Sequence, residues 1–283
     1  VLQKVHTVLL CTLDTTAILA NCILLYAIFT RTPASLRSYA ILLLNNAFMD
    51  ICSASASALA IARLIYLRDG PSQLYVYVGP CSLIGEGFCH MCHTAHTYFV
   101  SHSTVILLHS FCFRLYILRE ALVDIRIPTS KTTALISIAL YAPSIVVMVS
   151  LKLNAGHANV IDYRFVIALT YLVLLSPSAM IMIFLVRRKL LGEIRKMIMM
   201  QLSVWDLFFE ALTYQLLLPV GQALACTTWL LSVADVWSGE ASERLVMTFG
   251  SFFALGSPLI NLTFLPPYRR MIDGGRRGAK TEG

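Results

Sequence analysis

Long apolar stretches separated by short polar segments run the length of the chain. Windows of roughly 18 or more mostly apolar residues fall at 5–29, 39–65, 81–112, 132–151, 163–185, 207–231 and 245–265. An α-helix rises about 1.5 Å per residue, so about 20 apolar residues cross a hydrocarbon core of ~30 Å. The separators carry helix-stopping residues: Arg31-Thr32-Pro33, Arg68-Asp69-Gly70-Pro71, Ile127-Pro128-Thr129, Asn154-Ala155-Gly156, Arg187-Arg188-Lys189 and Trp237-Ser238-Gly239. The pattern predicts an all-α membrane protein, a seven-transmembrane-helix bundle forming one domain over 1–283. The first run is too long for the h-region of a signal peptide and reads as the first span.

Composition agrees with lipid as the main solvent. Hydrophobic residues make up 58% of the chain and charged ones only 13%, with a mean hydropathy of +0.74, against about 25% charged in soluble domains. Positive charge then sets the orientation, because Lys and Arg are retained on the cytoplasmic side. Sixteen of the 22 lie after spans one, three and five or in the tail, among them Arg31, Arg37, Arg119, Lys189, Arg195 and Arg277. The other side holds Lys4, Arg63, Arg68, Lys152, Arg164 and Arg244. This places the N-terminus outside and the basic C-terminus in the cytosol. The net charge of +7 is explained by topology and requires no nucleic acid; it suits anionic membrane lipid and an acidic partner surface.

Six cysteines, Cys11, Cys22, Cys52, Cys89, Cys92 and Cys112, fall inside predicted helices, where thiols pack as small apolar groups. Cys81 and Cys226 sit near outer helix ends and are the candidates for a bridge. The loop at 152–162 has no cysteine to pair with span three.

Polar groups inside the membrane are costly and mark either function or interhelical contacts. Asn21 on span one and Asp50 on span two both fall toward mid-helix, and a hydrogen-bonded packing cluster between these helices is expected; Asp14, Asn45 and Asn46 add to it. Span three is denser, with Glu86, His90, His93, His96, His102 and His109. At 100° per residue Glu86, Cys89, Cys92, His93 and His96 share a face. Cys-x2-Cys-His-x2-His resembles a metal set in ligand type. Ligands from one straight helix rarely close a tetrahedral site, however, and no other span supplies a second pair, so no metal and no cofactor are assigned. The stripe reads as a polar face toward the interior, where imidazoles satisfy interhelical hydrogen bonds or contact a ligand.

At the inner end of span three, Phe113-Arg114-Leu115-Tyr116 places an Arg at the membrane boundary. An Arg there either snorkels to headgroups or pairs internally and meets a partner on activation. Arg114 with Tyr116 resembles the acid-Arg-Tyr switch of G-protein-coupled receptors, with Phe113 in place of the acid. Pro177, Pro219 and Pro258 in the last three spans supply bending points. Several stretches in order resemble nematode seven-transmembrane chemoreceptors of the serpentine receptor class delta family. They are Leu36-Arg37-Ser38-Tyr39 with Leu42 to Asn46, Gly79-Pro80-Cys81, Phe111 to Leu118, Arg187 to Leu191, Ala211 to Gln215 with Leu218-Pro219, and Ser257 to Ile260 leading to Pro267-Tyr268-Arg269.

The resemblance implies a G-protein-coupled fold and a chemosensory receptor of the plasma membrane in sensory neurons or their cilia. Such a receptor would bind an external small-molecule cue and signal to a heterotrimeric G protein. It also implies where: ligand-binding residues Glu86, His90, His93, Gln222 and Trp229, and coupling residues Arg114, Tyr116, Arg187 and Arg188. An enzyme would need catalytic signatures that are missing. A retinal photoreceptor needs a Lys in span seven, and all six lysines lie at loops or ends. A polytopic transporter or ligand-gated channel is the competing class, with Asp14, Asp50 and Glu86 as an ion path.

Overall fold

The computed structural model describes residues 2–33, 36–66, 73–123, 129–142, 145, 163–198, 214, 218–237, 239–265 and 268–269. Seven α-helices occur among them: α1 (Leu2–Arg31), α2 (Arg37–Ala60), α3 (Glu86–Val123), α4 (Ser130–Ala139), α5 (Tyr163–Ile198), α6 (Leu218–Val233) and α7 (Glu240–Phe264); α1, α2 and α7 are, as described, long and apolar enough to cross a membrane. An antiparallel hairpin of β1 (Ala62–Tyr66) and β2 (Gln73–Tyr77), in register from Ala62↔Tyr77 to Tyr66↔Gln73, and a 3₁₀ turn at Pro80–Leu83 join α2 to α3. The windows at 146–151 and 207–213 lie outside the described residues.

Polarity is distributed inside out relative to a water-soluble protein. Phe29 and Leu19 are exposed by 74% and 60%, whereas Asp14, Asn21 and Asp50 are wholly buried. A lipid-facing rim and a polar interior produce this arrangement, because only the interior offers hydrogen-bond partners. Helix α2 occupies the centre, against α1, α3, α4 and α7; α5 packs on α3 and α6, and α7 closes the ring against α6 and α1. Ala17, Ala54 and Ala254 meet where α1, α2 and α7 cross, and their short side chains let the backbones approach.

Proline and asparagine explain one another here. Pro258 lies inside α7 and has no N–H, which leaves the carbonyl four residues earlier, that of Ala254, without its helical donor. Asn21 on α1 donates to that carbonyl at 3.0 Å and to its own Ala17 carbonyl at 2.9 Å. A carbonyl freed in lipid is thus satisfied across the helix interface. Asn21 therefore ties α1 to α7. The expected cluster with Asp50 takes a different form, described below.

Helices α3 and α5 run past the ends of their windows, to Val123 and Ile198, and α7 starts five residues early, while two boundaries fall short. The second window runs to 65, but α2 stops at Ala60 because Ile61 turns left-handed (φ 39°), its N–H bonding the Ser57 carbonyl, and residues 62–66 become β1. A β-branched residue in that conformation is rare and is no stop signal in a sequence. The third window starts at 81, yet 80–83 form the 3₁₀ turn. After Gly85, whose φ of 140° suits glycine alone, α3 begins at Glu86. Cys89 is not a free packing thiol: it is bridged to Cys81, with Cα atoms 5.0 Å apart, while Cys226 is free. The break at Gly85 folds the turn back over the first turn of α3, which brings residues eight apart within bonding range.

Candidate functional site

Polar and aromatic groups are concentrated in three layers, at the hairpin end, in mid-bundle and at the opposite end of α3. The hairpin end is anchored by its backbone. Val78 and Gly79 donate to the carbonyls of Ile61 and Ala60, and Gly79 lies so close to α2 that a Cβ there would meet the Leu59 oxygen at 2.2 Å. Arg63 on β1 reaches Glu243 on α7 through two guanidinium nitrogens, at 2.7 and 3.0 Å. Tyr75 and Tyr77, alternate residues on one face of β2, lean over α3. The His93 ring lies 4.7 Å from that of Tyr75 and 6.2 Å from that of Tyr77, and Tyr77 Oη is 3.3 Å from His90 Nδ1. Burial pushes both phenols above their ordinary values, and for Tyr77 the neighbouring Tyr75 and Glu86 add to it. Both remain neutral hydroxyls at physiological pH.

The histidine-cysteine face of α3 does not converge on one point. Cys89 is bridged, His90 and His93 face the hairpin, and His96 turns to α2, where its Nδ1 is 3.1 Å from both the Ser53 hydroxyl and carbonyl. Glu86 stands exposed on the first turn. Gln222 is buried on α6 and accepts a hydrogen bond from Thr104 on α3. Thr104 lies eleven residues, about 16 Å, along α3 from His93. Gln222 therefore belongs to a deeper layer than the two histidines. Trp229, half-buried, sits about 10 Å nearer the hairpin on the same helix.

In mid-bundle Asp50 accepts from Asn46 (2.8 Å) and from Ser103 on α3 (2.9 Å), and Asn46 also donates to Ser257 on α7 (2.6 Å). The cluster thus joins α2, α3 and α7; Asn21, expected beside Asp50, serves the α7 carbonyl instead.

At the opposite end Arg114 is buried. It donates to the Tyr39 hydroxyl, and its guanidinium carbon lies 4.8 Å from the Tyr39 ring centre and 5.6 Å from that of Phe111. Phe113, in the place of an acid, stacks on Tyr39 at 6.4 Å. Aromatic faces attract a guanidinium through their quadrupole. Tyr116 is 40% exposed, Arg188 is exposed and Arg187 half-buried on α5. The pairing of Arg114 with Tyr39, 75 residues away, has no local signature, although Tyr39 itself stands in a stretch that carried the family resemblance. Tyr75, Tyr77 and the Arg63–Glu243 pair were likewise missed; the alternation of β2 was their only signal.

Comparison with known proteins matches this architecture. The fold overlays on squid rhodopsin with a TM-score of 0.72, covering 98% of this chain and 86% of that one at 11% identity, which speaks for the fold alone. Serpentine receptor class delta-1 of Caenorhabditis elegans is 26% identical over 287 residues, covering 89% of this chain and 76% of that protein. Serpentine receptor class delta-3 of the same organism is 28% identical, with 91% and 83% covered. The family model for the serpentine type 7TM GPCR chemoreceptor Srd matches residues 6–164 and 154–273. The chain therefore belongs to the Srd family of serpentine seven-transmembrane chemoreceptors, multi-pass membrane receptors rather than enzymes.

Proposed function

We propose that this chain detects an external small-molecule cue and passes the signal to a heterotrimeric G protein at the surface of a chemosensory neuron. In this reading the hairpin end faces outward and the Arg114 end faces the cytosol, in keeping with the Lys and Arg distribution. The cue binds beneath the hairpin, against His90, His93, Trp229 and, deeper, Gln222, with Glu86 at the rim. Its binding energy favours a bundle opened at the far end, because a ligand shifts an equilibrium by its differential affinity for the two states. Arg114 would then leave Tyr39 and become available to the partner, with Tyr116, Arg187 and Arg188 around it. The observation that carries this reading is the burial of Arg114 against the rings of Tyr39 and Phe111, with Phe113 rather than an acid beside it in sequence: moving off those rings is the step that would expose the cation. The family and the rhodopsin-like fold support it.

The test is cue-evoked G-protein signalling in cells expressing surface-tagged chain, screened against volatile and water-soluble compounds. Wild type responds to at least one compound, and Arg114→Ala at equal surface level does not. A response that survives Arg114→Ala overturns the role of this residue and favours a transporter or channel.

A further inference from the structure

Among the buried acids of the described bundle, Asp14 stands apart. Glu243 is paired with Arg63, and Asp50 accepts from Asn46 and Ser103. Asp14, on α1, is wholly buried, yet neither carboxylate oxygen has a well-formed hydrogen bond. Ser57 on α2 and Ser251 on α7 stand beside it, but their hydroxyls pair with each other at 3.3 Å. The charged groups of this quarter, Arg63, Glu243 and Arg244, are engaged among themselves or with Glu240. Glu243 and His6 lie two helical turns, about 12 Å, nearer the hairpin along their own helices. A carboxylate buried among three helices with open acceptors is expensive in a membrane. With the two serine hydroxyls beside it, the carboxylate offers oxygen donors from three helices, the ligand type that hard cations take. One carboxylate balances one positive charge, and a site that is neutral when filled is the least costly in lipid. Ala17, Ala54 and Ala254 pack together at the same three-helix crossing, and such close packing of small residues disfavours a bulky organic ammonium.

We infer that Asp14, Ser57 and Ser251 form a binding site for a small monovalent cation, sodium being the natural occupant, that clasps α1, α2 and α7 together. The site is separate from the cue pocket, and its test does not depend on signalling. Thermal unfolding of the full chain in detergent is compared in sodium chloride and in N-methylglucamine chloride at equal ionic strength. Sodium raises the midpoint of wild type by several degrees, in proportion to the logarithm of its concentration once above the dissociation constant. Asp14→Asn abolishes that dependence and, lacking the uncompensated charge, unfolds in sodium-free buffer no earlier than wild type. Asp50→Asn retains the sodium dependence. Ser57→Ala and Ser251→Ala shift it to higher sodium. Four outcomes overturn the site: no sodium effect in wild type, an effect that survives Asp14→Asn, an equal effect from N-methylglucamine, or a midpoint that responds to pH alone, which would make Asp14 a proton acceptor only.

Discussion

At the hairpin end the connections are of several kinds. A disulfide ties the 3₁₀ turn to α3, backbone hydrogen bonds seat β2 on the end of α2, and an ion pair fastens β1 to α7. At the Arg114 end the described contacts include rings: Tyr39 and Phe111 lie against one guanidinium and Phe113 stacks on Tyr39, with the Thr32–Tyr268 hydroxyl pair nearby. Covalent and backbone links fix distances, whereas ring contacts tolerate sliding and rotation. In the proposed switch the second end is therefore the one to open, while the first keeps its shape.

Substitutions at each end break or sharpen this contrast. Gly79→Ala drives a methyl group against the Leu59 carbonyl, so the end of α2 or the hairpin must shift. The expected cost is about 3 kcal/mol, read as a lower unfolding midpoint together with faster amide exchange at Val78 and Gly79. Unchanged exchange there would mean that the hairpin is not seated on α2. Replacing both Cys81 and Cys89 by Ser opens an eight-residue loop and costs about 2–3 kcal/mol, seen as a midpoint drop that reducing agent reproduces in wild type and not in the variant. Tyr39→Phe keeps the ring over Arg114 and deletes only the hydroxyl, at a cost of about 1 kcal/mol. Its larger consequence is functional, a higher basal G-protein signal at equal surface level. A lower basal signal would show that Tyr39 serves the active bundle instead.

Helices were legible where lipid dictates the composition: α1 and α7 are long and apolar and start and end within about five residues of their windows. Hydropathy failed where a short apolar run is ambiguous between strand and helix. Ala62, Leu64 and Ile65 read as more of α2, and only the left-handed turn at Ile61 separates them. The polar interior was legible by residue type but not by partner. Asp50, Asn21 and His96 were visible as intramembrane polar groups, yet Ser103, Ala254 and Ser53, which bond them, sit on other helices. Likewise the candidate pocket residues proved to occupy different depths. Periodicity within one helix carries no information about the layer that a residue on another helix will reach.

The length of α3 has a consequence for what the membrane leaves uncovered. Glu86 and Arg114, 28 residues apart, are separated by about 42 Å of helix, close to the full thickness of a bilayer with its headgroups, about 40–45 Å. Helix α5 gives a similar measure from Tyr163 to Arg188, about 38 Å. With Glu86 and Tyr163 at one headgroup level, the final nine residues of α3 (115–123) and ten of α5 (189–198) would extend past the other, about 13 to 15 Å of helix each. Among the described residues, α3 and α5 would then stand as two helical posts at that end, their height set by where the bilayer grips each helix.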